Sequence, residues 1–373
     1  MPDQTTSSYA AAGVDEQREQ TAFARVMRPW LARTTVRSPM VTEVTGLSSG
    51  YFATLMHLPP GPPLALTTDG VGTKILVARM AGRYEGIGVD VIANNVNDLI
   101  CVGAVPLALL DYLATDRIDE DVLEQLARGM YRGAEEAGIA IPGGEIAQIG
   151  AMLASSEGGG PMLDLVGTAV GALPASPDGG WRAPLDGSLV RPGDVVVGLP
   201  SSGLHSNGYS LARHVLLDQA GMRLDDPVPG TDQPLVDALL APTRVYVRAA
   251  EAVWAAGVAP HGMAHISGGG LLNLARLAAD VSYRLDALPE PHPVFGLIGR
   301  AGQVPAATLY ATLNMGIGFC LVVDPADREA TLTALTGAGE APVVIGSVLD
   351  QPGRVVSIPA LGLTGQGEAF TTA

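Results

Sequence analysis

The sequence predicts an α/β protein built as two domains, and three observations carry that prediction. Apolar residues fill 47% of the 373 positions and charged residues only 16%, enough for more than one core. Short β-prone runs alternate with longer helical stretches, the pattern of layered α/β architecture. A stretch rich in Pro, Gly and Asp, LPASPDGGWRAPLDGSLVRPG at 173–193, splits the alternation in two. The predicted domains are therefore 1–172 and 173–373.

In order along the chain, a short helix is expected around Glu16–Arg28, then a strand at Pro63–Leu66 leading into a glycine-rich turn. A helix over Ile87–Gly103 and a strand over Leu107–Leu113 follow. The next helix spans Glu120–Ala137, with Asp119 as N-cap and Gly138 as its stop. Strands at Ile139–Pro142 and Asp164–Gly171 complete the first half. The second half is read as strands near Asp194–Leu199, Gly262–Ile266, Val281–Leu285, Ile317–Val323 and Val343–Val348. Its helices are placed at Tyr209–Gln219, Thr243–Ala255, Leu271–Ala278 and Pro325–Thr336. No solenoid repeat is present.

The net charge of −16 argues against a nucleic-acid partner, which needs a basic face. An acidic protein that binds phosphates needs divalent ions, backbone N–H groups or a few local cations to offset repulsion. The apolar run Leu99–Leu110 contains Pro106 and is shorter than the ~20 residues of a membrane span. The first residues lack a basic-then-apolar export pattern. Cys101 and Cys320 lie far apart in apolar segments, as expected of reduced core thiols. Together these point to the cytoplasm.

Five stretches carry candidate chemistry. LTTDGVGTKI, residues 66–75, is not a Walker A loop. Its Gly70 and Gly72 allow close backbone approach, Asp69 is a candidate ligand for a divalent cation, and Lys74 is a candidate phosphate contact; a tight β-turn with a solvated lysine is the plainer reading. In GVDVIANNVNDLICVGA, a step of ~100° per residue gathers Asp90, Asn94, Asn97 and Asp98 on one stripe. A merely solvated face would use residues that favour helix, so the stripe is expected to face cations. Hard oxygen donors without His or Cys suit Mg²⁺. IPGGEIAQIG adds Glu145 as a third acidic element. GLPSSGLHSNGYSL (198–211) and AHISGGGLLNLAR (264–276) each join a strand to a helix through a Gly/Ser loop, an anion-binding arrangement carrying His205 and His265 as candidate acid–base groups. Core packing explains most of TLNMGIGFCLVV.

Taken in order, YAAAGVD (Tyr9–Asp15), TTDGVGTK, GVDVIANNVNDL, GDVVVGLPSSGLHSNGYSL, APTRVYV, AHISGGG and LNMGIG resemble the aminoimidazole ribonucleotide synthetase (phosphoribosylformylglycinamidine cyclo-ligase) family over nearly the whole chain. The resemblance implies an N-terminal mixed sheet that joins a second subunit in a dimeric barrel, a C-terminal α/β domain, and a site between them. It implies ATP-dependent closure of an imidazole ring on a ribonucleotide, with Mg²⁺. Asp69, Asp98 and Glu145 become the implied metal ligands, with Asp90 and Asn97 beside them. Lys74 and the turn of Gly70, Val71, Gly72 and Thr73 go to the nucleotide phosphates. Ser202, His205, Ser206, Asn207 and Gly268, Gly269 and Gly270 go to the substrate, with the acid–base role open between His205 and His265. The chain departs from the family pattern at GGEIAQI, where the family reads GGETAEM, and at LLN, which lacks a Glu after the three glycines. A diverged ATP-binding relative, acting on another substrate or serving as a regulator, is the alternative reading.

Overall fold

The computed structural model describes residues 21–27, 29, 42–43, 51–153 and 160–372. The YAAAGVD stretch lies outside these residues, as does most of the helix expected at Glu16–Arg28; of that segment, 21–27 are helical. Strands β1 (Thr42–Glu43), β2 (Thr54–His57) and β3 (Pro63–Gly70) run antiparallel to their neighbours. Helices α1 (Lys74–Ala81) and α2 (Glu85–Cys101) follow, then β4 (Val105–Thr115), α3 (Glu120–Ala137), β5 (Ala140–Gln148) and β6 (Leu163–Ala172). Among the described residues these strands form one sheet in the order β1-β2-β3-β6-β4-β5, parallel only between β4 and β5, the two that α3 connects.

The second half begins with β7 (Val195–Pro200) and α4 (Tyr209–Arg213), which runs on as a π-helical turn over His214–Gln219. It continues through α5 (Leu235–Leu240), α6 (Val247–Ala255), β8 (Gly262–His265), a 3₁₀ stretch Gly270–Arg276 and β9 (Ser282–Leu285). Helices α7 (Pro293–Gly302) and α8 (Ala306–Thr312), β10 (Ile317–Val323), α9 (Arg328–Gly337), β11 (Val343–Leu349), β12 (Val356–Ile358), β13 (Leu363–Gln366) and β14 (Ala369–Thr372) complete it. Its sheet has the order β14-β13-β12-β9-β11-β7-β10-β8. Strand β10 is buried along its whole length because it lies between β7 and β8. The α/β class with mixed sheets is as the sequence predicts.

Local signals explain several boundaries. The Asp119 side chain accepts a hydrogen bond from Val122 N (3.2 Å), and Gly138 ends α3 at φ 69°, both as predicted. Strand β3 runs on to Gly70, so TTDG is strand; the expected turn begins only at Val71. Likewise GGE lies inside β5 and is not a turn. Helices α1, α5, α7 and α8 and strands β12–β14 had no counterpart in the sequence reading, because short amphipathic pieces carry little periodicity. Cys101 and Cys320 are free and buried.

Helix α2 is the pivot. It packs on β3, β4 and β6, on α3, and on β8 and α6 of the second half. A Cβ on Gly129 of α3 would stand 1.9 Å from Glu85 O and one on Gly88 2.2 Å from Leu126 O, so only glycine permits this α2–α3 approach.

Candidate active site

The polar stripe of α2 meets the second half of the chain. Asp90 Oδ1 accepts both the backbone N–H and the hydroxyl of Thr243, each at 2.7 Å. Two turns on, Asn97 Oδ1 accepts Tyr246 N (2.9 Å) while its Nδ2 donates to Arg244 O (2.8 Å). Asn94 Nδ2 donates to Gly70 O, and Asn95 Nδ2 donates to Asp69 O and Val91 O. The side chains of 90, 94, 95 and 97 thus bond backbone groups at the end of β3, within α2 and in the 243–246 segment. The stripe, expected from its composition to face cations, is buried at Asp90, Asn94 and Asn97. Within the chain Asp90 and Asn97 turn to the 243–246 segment, and Asp90 also to the Lys74 ammonium.

Lys74 opens α1 and is fully buried. Its ammonium pairs with Asp90 (Nζ–Oδ2 2.8 Å) and donates to His205 O (2.8 Å) and Ala241 O (2.7 Å). All three protons are used inside the protein, so in this structure Lys74, expected as a phosphate contact and catalytic group, is turned to internal partners. Burial pulls its pKa down and the Asp90 charge opposes that.

Asp98 is the member of the stripe that reaches a histidine: its Oδ1 lies 2.9 Å from His265 Nδ1. His265 ends β8 and is held by its N–H to Cys101 Sγ (3.1 Å) and by Asn273 Nδ2 donating to its carbonyl (2.9 Å). Asp69, near the end of β3, accepts Gly70 N at 2.8 Å. Loss of water, then repulsion from the neighbouring Asp98, lifts the Asp69 carboxyl to about 6. Two hard carboxylates crowding one another suit a divalent ion such as Mg²⁺. The cluster draws on β3 and α2 from the first half and on β8 from the second.

Glu145 is not part of this cluster within one chain. Asp69 is in register with Gly167, Asp111 and Gly144 across β6, β4 and β5, which places Glu145 three strands away, about 14 Å. Being one position on from Gly144, it also faces the opposite side of the sheet.

His205 differs from the sequence reading as well. It sits at φ 62°, buried, with Nε2 accepting Ser202 N (3.2 Å) and Nδ1 without a hydrogen-bond partner. Burial, then the charges of His265 and Lys74, hold its imidazole well below the usual histidine range, so it stays neutral. It shapes its loop and is not placed for proton exchange. Ser202 Oγ donates to Pro242 O. Ser206 Oγ lies 3.0 Å from Thr243 Oγ1; since that hydroxyl gives its proton to Asp90, Ser206 must donate to it. Ser206 therefore presents lone pairs, not a proton, to a ligand. The two glycine loops converge: a Cβ on Gly268 would lie 3.2 Å from Asn207 Oδ1, and Gly269 (φ 92°) and Gly270 (φ 55°) take left-handed backbone. Across the seam, Thr73 Oγ1 meets Ser210 Oγ at 3.3 Å, Val71 is buried and Gly72 is left-handed (φ 70°). The sequence reading missed Thr243 and Asn273; their signal was only a Thr after Ala-Pro and an Asn after three glycines.

This two-domain arrangement, with acidic groups from the first half meeting glycine loops from the second, belongs to a recognisable class. Residues 51–173 match the AIR synthase related protein N-terminal domain and 191–358 its C-terminal domain, and the chain belongs to that family. It is 41% identical over 348 residues to the phosphoribosylformylglycinamidine cyclo-ligase of Methanothermobacter thermautotrophicus, covering 93% of this chain and 96% of the relative. It is also 41% identical to the protein of the same name from Myxococcus xanthus, over 94% of this chain and 99% of that one. Among solved structures, the hydrogenase maturation protein HypE in complex with ATP shares the fold at a TM-score of 0.59 and 18% identity, covering 95% of this chain and 94% of that chain. AaThiL complexed with AMPPCP and TMP does so at 0.58 and 17%, covering 91% and 94%.

Two outcomes follow from the geometry. Lys74→Met leaves the Asp90 carboxylate buried without its cation, and urea unfolding should show a loss of about 3–5 kcal/mol; a loss below about 1 kcal/mol would mean the clamp is not formed. For Asp69, a carboxyl raised from the unfolded value to about 6 binds more protons folded than unfolded, so its contribution to stability falls as pH rises through about 6. In chelator-treated protein, Asp69→Asn should raise the melting temperature more at pH 7.5 than at pH 5, and an equal change at both would remove the carboxylate repulsion.

Proposed function

We propose that this protein catalyses the ATP-dependent ring closure of formylglycinamidine ribonucleotide to aminoimidazole ribonucleotide in purine biosynthesis. The observation that carries the reading is the meeting of Asp69, Asp98 and His265 at the domain seam, in a chain about 41% identical over nearly its whole length to relatives bearing the cyclo-ligase name. The γ-phosphoryl group of ATP passes to the formyl oxygen, a ring-forming nitrogen attacks the activated carbon, and phosphate leaves. Magnesium, when held by Asp69 and Asp98, would neutralise the triphosphate and the charge spreading over the transferred group. Asp98 fixes the His265 ring through Nδ1 and leaves Nε2 for the proton released on closure. The N–H groups of Gly70 and Val71 are held by Asp69 Oδ1 and Leu165 O, so in this reading it is the turn at Gly72 and Thr73 that offers backbone N–H groups to the nucleotide phosphates. Gly268–Gly270 and Asn207 take the ribonucleotide, and the lone pairs of Ser206 accept from an N–H of the amidine.

The working form we propose is a homodimer. Leu110 and Tyr112 of β4 point away from the helices and stand 51% and 44% exposed, an apolar sheet face that a second copy would cover. No helix among the described residues is long and apolar enough to cross a membrane, and free buried cysteines suit the cytoplasm.

Purified protein given ATP, Mg²⁺ and formylglycinamidine ribonucleotide should release ADP and phosphate with formation of the imidazole, and Asp98→Asn should lower kcat by roughly 100-fold or more. Turnover only with a different acceptor, ATP binding without turnover, or a near-wild-type Asp98→Asn rate would each defeat the assignment. Light scattering should give twice the 38.2 kDa chain mass, falling to one chain in Leu110→Asp/Tyr112→Asp; a monomeric wild type refutes the dimer.

A further inference from the structure

At the far ends of the strands that carry the active site lies a second polar cluster. Asp194 precedes β7, Asp324 follows β10 and His261 precedes β8; these strands are neighbours, with Val323 paired to Val195 and Val322 to Gly262. His265 lies at the opposite end of β8, four residues or about 13 Å from His261. One nitrogen or oxygen from each of Asp194, His261 and Asp324 falls within 4.8 Å of the others.

Asp194 is fully buried, and its two oxygens are treated very differently. Oδ2 accepts Arg191 N (2.9 Å) and lies 2.7 Å from His261 Nδ1. Oδ1 has no hydrogen-bond partner. The nearest cationic atom paired with it is Arg191 Nε at 3.8 Å, beyond hydrogen-bond reach, while Nη2 of the same guanidinium rests on Asp324 Oδ2. Oδ1 is thus buried beside the Arg191 guanidinium without a donor. A buried carboxylate oxygen without a donor is costly, and charge does not balance either: two carboxylates face one arginine unless His261 is protonated.

From this arrangement we propose that Asp194, His261 and Asp324 form a transition-metal site of the Zn²⁺ class, closed in the metal-free protein by Arg191. One imidazole nitrogen and two carboxylate oxygens, with water completing the shell, are ligands of that class; the nitrogen disfavours Mg²⁺. A divalent ion beside a neutral His261 balances both carboxylates and gives Asp194 Oδ1 its partner. The Arg191 side chain is 62% exposed, so it leaves toward water without being buried elsewhere. Because Arg191 lies near the end of the Pro/Gly-rich stretch 173–193 that joins the two halves, occupancy also frees a residue of that stretch.

Co²⁺ titration of the chelator-treated full chain, followed by visible absorption, tests the site. Wild type should bind Co²⁺ in a form displaced by Zn²⁺. His261→Gln should lower the affinity on the order of 100-fold, whereas His265→Gln, at the proposed active site, should leave this signal in place. Arg191→Ala should tighten binding, by roughly tenfold, because the plug is gone. Circular dichroism checks folding, and Asp324→Asn replaces His261→Gln if the latter fails to fold. Absence of a Co²⁺ spectrum in wild type, a spectrum unchanged by His261→Gln or by Asp324→Asn, loss of the spectrum in His265→Gln, or unaltered affinity in Arg191→Ala each overturns the proposal. Since none of these readouts involves turnover, they separate this site from the proposed catalysis.

Discussion

The buried Lys74–Asp90 pair, at the seam between the two halves, is the interaction on which the rest of the structure depends. An ammonium and a carboxylate without water are tolerable only when every remaining proton and lone pair finds a partner. Here His205 O and Ala241 O take the other ammonium protons and Thr243 N and its hydroxyl donate to Asp90 Oδ1, and each belongs to the second half of the chain. Satisfying the charge therefore fixes the relative position of α1, α2, the His205 loop and the 241–246 segment. Asn97 repeats the principle with neutral groups two turns further along α2.

That fixed seam brings Asp98 to His265 and sets Asp69 beside Asp98. Repulsion between carboxylates is retained there and nowhere relieved by a lysine or arginine from the stripe itself. A protein with a net charge of −16 gains nothing from a preformed cationic pocket that would be neutralised by its own surface. In the proposed function it instead presents acids to a divalent ion that arrives with the triphosphate. The hydroxyl chain from Asp90 through Thr243 to Ser206 extends the same logic to the substrate side, because the buried carboxylate dictates the direction of every proton along it.

The same polar residues play opposite parts according to depth. Lys74, Asp90, Asn97 and His205 all lie in stretches whose composition suggests ligand contact, yet burial turns them into internal struts. Asp69 and Asp98 come from the same stretches and stay close enough to the opening to meet a ligand. Local sequence separates these cases poorly, since Asp90 and Asp98 stand eight residues apart on one helical stripe. Which of them is sealed depends on the 243–246 backbone, more than 140 residues away.

What the amino-acid sequence by itself determined was the α/β class, the Asp119 and Gly138 limits of α3, the fully apolar β10, the free core cysteines and the two glycine loops. Each follows from local pattern: period, cap, run length or turn residue. Only tertiary structure decided that Glu145 faces away from Asp69, that TTDG and GGE are strand, and that Lys74 meets no solvent. Strand register and inter-domain packing set those outcomes, and both arise from contacts between residues far apart in the chain, which a local window does not contain.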